Sequence, residues 1–216
     1  MKKMIIVKSV LMLCLLGVSA MPALAAEQDQ KMNYARANLG IYNPTDDLDD
    51  NNYDNGGNLS ILYGRYLTPY LSVEAGLDFF ASENDFSGSN TIAGTFTREN
   101  VMSGHGLNFT LKGEYPAGPV RLYAGGGFGL YAATLITEVK SSSLGDFDKC
   151  KSDFMTSAHV IAGLDFDIND RWFINIEGKY RVTDDVDINE TVASVPVVYS
   201  GNMTGYSVTA GFGFRF

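Results

Sequence analysis

The chain has 216 residues, the length of one ordinary to large domain. Charged residues are 19% of it and aromatics 12%, with 23 Gly, 12 Tyr and a formal net charge of −9. An acidic chain without clustered Lys and Arg excludes nucleic acid as a partner, 45% hydrophobic residues exclude a disordered chain, and two Cys exclude a disulfide scaffold or a Cys-based zinc ribbon.

Residues 1–25 read as a cleaved secretory signal peptide. Lys2 and Lys3 supply the positive start, and Val10 to Val18 is an unbroken apolar-or-Gly run. Ala23-Leu24-Ala25 is an A-x-A cleavage site, with Ala23 and Ala25 as its small residues. Cys14 follows Leu11-Met12-Leu13 rather than the small residues of a lipobox, so it counts as an apolar residue of the run. Cleavage removes Lys2, Lys3 and Lys8 and no acid, so the remainder is more acidic still. Cys150 is then the lone cysteine and can make no internal bridge. No later stretch approaches 18 apolar residues, so no transmembrane helix is expected. Residues 26–32 are a short polar segment leading into the fold, which occupies 33–216.

Abundant Gly and aromatics with few helix formers point to an all-β fold, and period-2 alternation marks eight strands. The first runs over 33–42, with Ala35, Ala37, Leu39 and Ile41 opposite Arg36, Asn38 and Gly40. The second covers 58–67. After the Thr68-Pro69 turn, the third covers 70–80, with Leu71, Val73, Ala75, Leu77 and Phe79 opposite Glu74 and Asp78. The fourth covers 106–115, with Leu107, Phe109 and Leu111 opposite Lys112 and Glu114. Pro116-Ala117-Gly118-Pro119 turns the chain into the fifth, 120–133. The sixth, 157–168, sets Val160, Ala162, Leu164 and Phe166 against His159, Asp165 and Asp167. Asn169-Asp170 is the third tight turn. The seventh, 172–182, sets Trp172, Ile174 and Ile176 against Glu177, Lys179 and Arg181, and the eighth covers 205–216.

In seven strands the apolar face holds no charge. Alternation alone suits a soluble lipocalin-like barrel or a membrane barrel, but three features favour the membrane. The polar face carries Arg36, Glu74, Asp78, Lys112, Glu114, Arg121, Asp165, Asp167, Glu177, Lys179, Arg181 and Arg215, six basic and six acidic, as a lumen network of ion pairs would. Connectors alternate between short turns and long loops at 43–57, 81–105, 134–156 and 183–204. Aromatics cluster at strand ends as two girdles: Tyr66, Tyr70, Tyr115, Trp172 and Phe216 near the turns, and Tyr42, Phe79, Phe80, Tyr131 and Tyr206 near the loops. The second strand is the misfit, because Arg65 shares a face with Leu59, Ile61 and Tyr63, so its register stays open.

The chain ends Thr209-Ala210-Gly211-Phe212-Gly213-Phe214-Arg215-Phe216. Thr209, Gly211, Phe214 and Phe216 fit the C-terminal signal, ending in an aromatic, that is read by the barrel-assembly machinery. That ending, the eight strands and the stretch Tyr63-Gly64-Arg65-Tyr66-Leu67-Thr68-Pro69-Tyr70 make the chain resemble the small bacterial outer-membrane barrels of the OmpA-transmembrane-domain, OmpX and OmpW type. The resemblance covers residues 26–216. It implies an eight-stranded antiparallel transmembrane β-barrel, an up-and-down meander, with both termini in the periplasm and outer-membrane lipid and lipopolysaccharide as surroundings. It also implies no cofactor, and contact with an extracellular ligand or host surface through the loops. Full-length OmpA has a peptidoglycan-binding domain after the barrel, and this chain has none.

Motifs for chemistry are sparse. Lipid A deacylases use His-x-Ser, whereas His105 and His159 are followed by Gly106-Leu107 and Val160-Ile161. Asp50, Asn52 and Asp54 match the first three ligand positions of an EF-hand loop. However, Asn55 stands where Gly is required and Ile61 where Glu is, so segment 43–57 reads as a solvated acidic loop. Gly125-Gly126-Gly127 lacks the Lys-Ser/Thr of a phosphate loop and marks wall curvature. The expectation is a non-enzymatic barrel with a side-chain-filled lumen, serving envelope integrity, adhesion or defence. The alternatives are a narrow solute carrier of the OmpW type and, behind it, a lipid-modifying enzyme.

Overall fold

A computed structural model describes residues 32–90, 94–142, 145–192 and 195–216. Residues 1–31, which include the expected signal peptide with Ala23 and Ala25, lie outside them. The barrel is made by β1 (Asn33–Pro44), β2 (Gly56–Thr68), β3 (Leu71–Asn90), β4 (Gly94–Ala117), β5 (Val120–Ser141), β6 (Gly145–Asp167), β7 (Trp172–Thr183) and β10 (Gly205–Arg215). Neighbours in sequence pair antiparallel, and β10 closes the ring on β1. A one-turn helix α1 (Asp47–Asp50) follows β1, and a separate hairpin, β8 (Val186–Val192) and β9 (Val195–Gly201), precedes β10. The closed ring gives every wall strand two partners, which is how a sheet can cross lipid without unpaired edges.

Two of the three short turns show their local cause directly. Gly118 takes φ 68°, a left-handed conformation that Gly adopts without penalty. Asn169 Oδ1 accepts the backbone N–H of Arg171 at 2.9 Å and of Trp172 at 3.0 Å, an Asx turn. The faces are sorted as the alternation requires. Leu39, Leu77, Leu111, Val160, Ile176 and Val208 stand exposed outside, while Arg36, Glu74, Asp78, Lys112 and Glu177 are buried inside. A soluble barrel has the opposite arrangement, so the lipocalin-like alternative is excluded. Arg65 settles the second strand: it points outward beside Val73 and Asn33, and Leu62 and Tyr66 turn inward.

Two expected loops are corrected. Residues 81–90, 94–105, 134–141 and 145–156 are strand, paired as far as Asn90 with Gly94 and Ser141 with Gly145. Strands β3 to β6 therefore run 20, 24, 22 and 23 residues, against 12, 13, 12 and 11 for β1, β2, β7 and β10. A tilted strand needs about 9–11 residues to cross the hydrocarbon, so half of each long strand projects as a four-stranded sheet. Its sequence hid it because polar residues such as Ser82, Glu83, Asn84 and Asp85 carry no hydrophobic period.

Segment 43–57, expected as a solvated loop, and the described residues of the expected long loop 183–204 fold over the mouth instead. Leu48, Tyr53, Val186, Ile188, Tyr199 and Met203 are buried against Phe96, Met102, Leu135 and Val139 on the inner face of the projecting sheet. Asp54 N–H donates to Glu83 O at 2.8 Å, and Asn84 Nδ2 donates to the carbonyls of Asn51 and Asn52, covering the lower free edge of β3.

Candidate functional site

The lumen is filled in layers. Near the termini, Tyr34, Tyr66 and Phe173 form a small apolar cluster. Arg215 reaches into it, with Nη1 2.7 Å from Asp167, Nε donating to the Tyr66 hydroxyl at 3.2 Å, and its guanidinium 4.4 Å over the Phe173 ring. Tyr66 is thus a lumen residue and leaves the expected girdle. Tyr70, Tyr115, Trp172 and Phe216 do face outward at that end.

The next layer is an ion-pair plate. Arg36 Nη2 is 2.9 Å from Glu74 Oε2 and 2.6 Å from Glu177 Oε2, and Nη1 donates to Asn175 Oδ1 at 2.8 Å and the Tyr123 hydroxyl at 3.0 Å. Lys112 Nζ sits 3.1 Å from the other oxygen of Glu74 and 3.9 Å from the centre of the Tyr123 ring. Asp165 accepts from Asn175 Nδ2 at 2.7 Å, and Tyr34 donates to Glu74 at 2.7 Å. Side chains from β1, β3, β4, β5, β6 and β7 thus meet on one plate. Ions are costly to bury, and hydrogen bonds to both carboxylates and to the guanidinium are what make such a plate tolerable.

Above it, His159 Nε2 lies 2.8 Å from Thr110 Oγ1. Higher again, Asp78 binds two cations, Lys179 at 3.1 Å and Arg181 by a direct ion pair. It also accepts from Asn58 Nδ2 at 2.9 Å and the Tyr131 hydroxyl at 3.1 Å. The Arg181 guanidinium lies 3.8 Å over the Phe80 ring. Tyr42, Phe80 and Tyr131 form a chain of rings, with centroids 5.0 and 5.6 Å apart. These three were expected in the upper girdle. They sit on the inward parity of their strands and instead roof the lumen, while Tyr206 does face outward.

The roof joins the apolar cap described above. One carboxylate oxygen of Asp47, on α1, accepts from the backbone N–H of Asn202 at 2.8 Å and from its Nδ2 at 2.7 Å. This latch ties segment 45–55 to the end of the β8–β9 hairpin. Burial pushes the Tyr53 hydroxyl up to about 12, against a partial opposing effect of Arg98. Burial also raises Tyr199, whose ring centroid is 6.0 Å from that of Tyr53.

Of the twelve charges expected on the polar face, Arg36, Glu74, Asp78, Lys112, Glu114, Asp165, Glu177, Lys179, Arg181 and Arg215 are buried in the lumen, and Arg121 and Asp167 are half-buried. Sequence reasoning missed their uncharged partners Tyr34, Tyr123, Asn175 and Asn58, whose inward parity was the available clue. Of the terminal motif, Thr209 faces inward, and Phe214 and Phe216 pack outside with Trp172 4.5 Å from Phe214. A Cβ at Gly211 would meet the backbone carbonyl oxygen of Ala37 at 2.4 Å, so the close approach requires Gly. Cys150 is free and exposed on the projecting sheet. Among the described residues no three His, Cys, Asp or Glu side chains form a metal group.

No curated protein matches the chain significantly. Among solved structures, OprG of Pseudomonas aeruginosa is 13% identical, with a TM-score of 0.51 and coverage of 86% of this chain and 96% of that one. Ail, the attachment invasion locus protein of Yersinia pestis, is 14% identical, with a TM-score of 0.45 and coverage of 87% and 100%. The outer membrane protease OmpT of Escherichia coli is 11% identical, with a TM-score of 0.42 and coverage of 90% and 100%. At 13% identity the likeness to OprG is one of fold. The family model of the outer membrane protein beta-barrel domain matches residues 10–216, and the chain belongs to that family.

Proposed function

We propose that the protein is a non-enzymatic outer-membrane barrel that works through its projecting sheet and not through a pore. The observation that carries this reading is the doubly closed lumen. The Arg36–Glu74–Glu177 plate crosses it, and the Tyr42–Phe80–Tyr131 roof and apolar cap lie over its far end. Both termini then lie in the periplasm, since an even strand number returns the chain to the side it entered from and the short turns belong there. The projecting sheet lies outside the cell, where it meets an extracellular ligand or a host surface. Lipopolysaccharide surrounds the upper wall. Phe216 and its motif serve the barrel-assembly machinery, and residues 1–25 serve export.

The chain reconstituted in planar bilayers is expected to give no steady porin-like conductance, and liposomes carrying it are expected to hold small solutes. Steady solute flux would overturn this reading in favour of a narrow carrier. Lipid A from cells with and without the protein is expected to have the same mass spectrum.

A further inference from the structure

Arg65 alone places a charge on the outer face of the described barrel wall below the projecting sheet. It lies three residues from the end of β2, in register with Asn33 on β1 and Val73 on β3. Among the described residues it has no ion-pair partner. The Tyr63 hydroxyl donates to Asn33 Oδ1 at 2.8 Å beside it, which fixes the ring. One row further from the turn, Ala35 lies between Phe214 and Tyr63. The row after that sets Ala37 beside Phe212. The two alanines are thus the floor of a shallow apolar trough, walled by Phe214 and Phe212 on one side and Tyr63 and Ile61 on the other, and Arg65 stands at its foot. An Arg in mid-hydrocarbon costs about 2–4 kcal/mol but about 0–1 near the interface, and its long stem carries the charge out to headgroup level. A guanidinium fork there matches phosphate oxygens in charge and geometry.

We propose that Arg65 and this trough form a binding site for an anionic membrane phospholipid. The phosphate sits on the guanidinium and an acyl chain lies along Ala35 and Ala37. The site rests on the outer-membrane placement of the barrel, with the short-turn end at a leaflet surface.

The chain carries its own reporter. Trp172 is its single tryptophan, and its ring lies 4.9 Å from Phe212 and 4.5 Å from Phe214, against the trough wall. The chain is folded into phosphatidylcholine vesicles that contain either brominated phosphatidylglycerol or brominated phosphatidylcholine, and quenching of Trp172 is titrated. Phosphatidylglycerol is expected to be preferred about fivefold, the effect of one basic group at a charged surface. Arg65→Ala is expected to reduce the preference to parity, and Arg65→Lys to retain most of it. Ala37→Leu, which fills the trough and leaves the charge in place, is expected to weaken quenching by both lipids. Heat-dependent gel mobility shows that each variant is folded. Equal quenching by the two lipids in the parent chain, or an unchanged preference in Arg65→Ala, overturns the site. Vesicles present both ends of the barrel to lipid, so this result is independent of orientation in cells, which protease shaving reports separately.

Discussion

Asp78 is the one buried carboxylate that pairs with both Lys179 and Arg181. Replacing it by Ala leaves two cations in the lumen without a counter-charge. Breaking a buried pair in this way costs about 3–5 kcal/mol. The Asp78→Ala barrel is therefore expected to unfold at clearly lower urea, read by gel mobility in detergent; an unchanged midpoint would show that the pair is not structural. Phe216 poses a different question, because its ring only borders Tyr63 and Phe214 at about 6 Å. If it serves assembly, Phe216→Ala lowers outer-membrane yield in cells but still refolds in detergent to a heat-modifiable band. Loss of refolding as well would make its role one of packing. Charges were legible in the sequence at this scale because parity along a strand is strict and an ion belongs on the wet face. Tyr66 and Tyr131 were less so, since a tyrosine at a strand end fits a girdle and a lumen equally well.

The element that departs furthest from expectation is the cap. Segment 45–55 and the β8–β9 hairpin share the Asp47–Asn202 latch and an apolar core. Asp47→Ala removes two hydrogen bonds to a half-exposed carboxylate, worth about 1–2 kcal/mol. Faster protease cleavage within 45–55 is expected, with barrel gel mobility unchanged. Alkali should act on the same element. Tyr53 ionises at about 12 in the cap and near 10.0 when unfolded. Its raised value means that folding favours the neutral hydroxyl. That contribution is intact below pH 10 and is lost as pH climbs from 10 towards 12. Cap opening, followed by protease sensitivity, is expected to rise across that window, and Tyr53→Phe is expected to flatten the dependence. Little of this was visible in the sequence, because five aspartates between 46 and 54 dominate a segment whose buried anchors are only Leu48 and Tyr53.

At the scale of the whole molecule, absence of steady conductance remains the expected outcome, and it should survive Asp47→Ala. Opening the cap exposes the roof of Tyr42, Phe80 and Tyr131 but leaves the Arg36 plate in place beneath it. A conductance that appears in Asp47→Ala alone would mean that the cap and not the plate closes the lumen. The amino-acid sequence by itself determined the eight wall strands, the parity of seven of them and the charges inside, because a two-residue period with one apolar face is a local property of the chain. Only the tertiary structure decided that Arg65 lies on the outward apolar face and that four strands outrun the membrane. It also decided that the acidic segments fold over the mouth. Those outcomes depend on which backbone groups find partners across the ring and which side chains meet over the lumen, and residues far apart in the chain, such as Asp47 and Asn202, carry no mark of each other in the sequence.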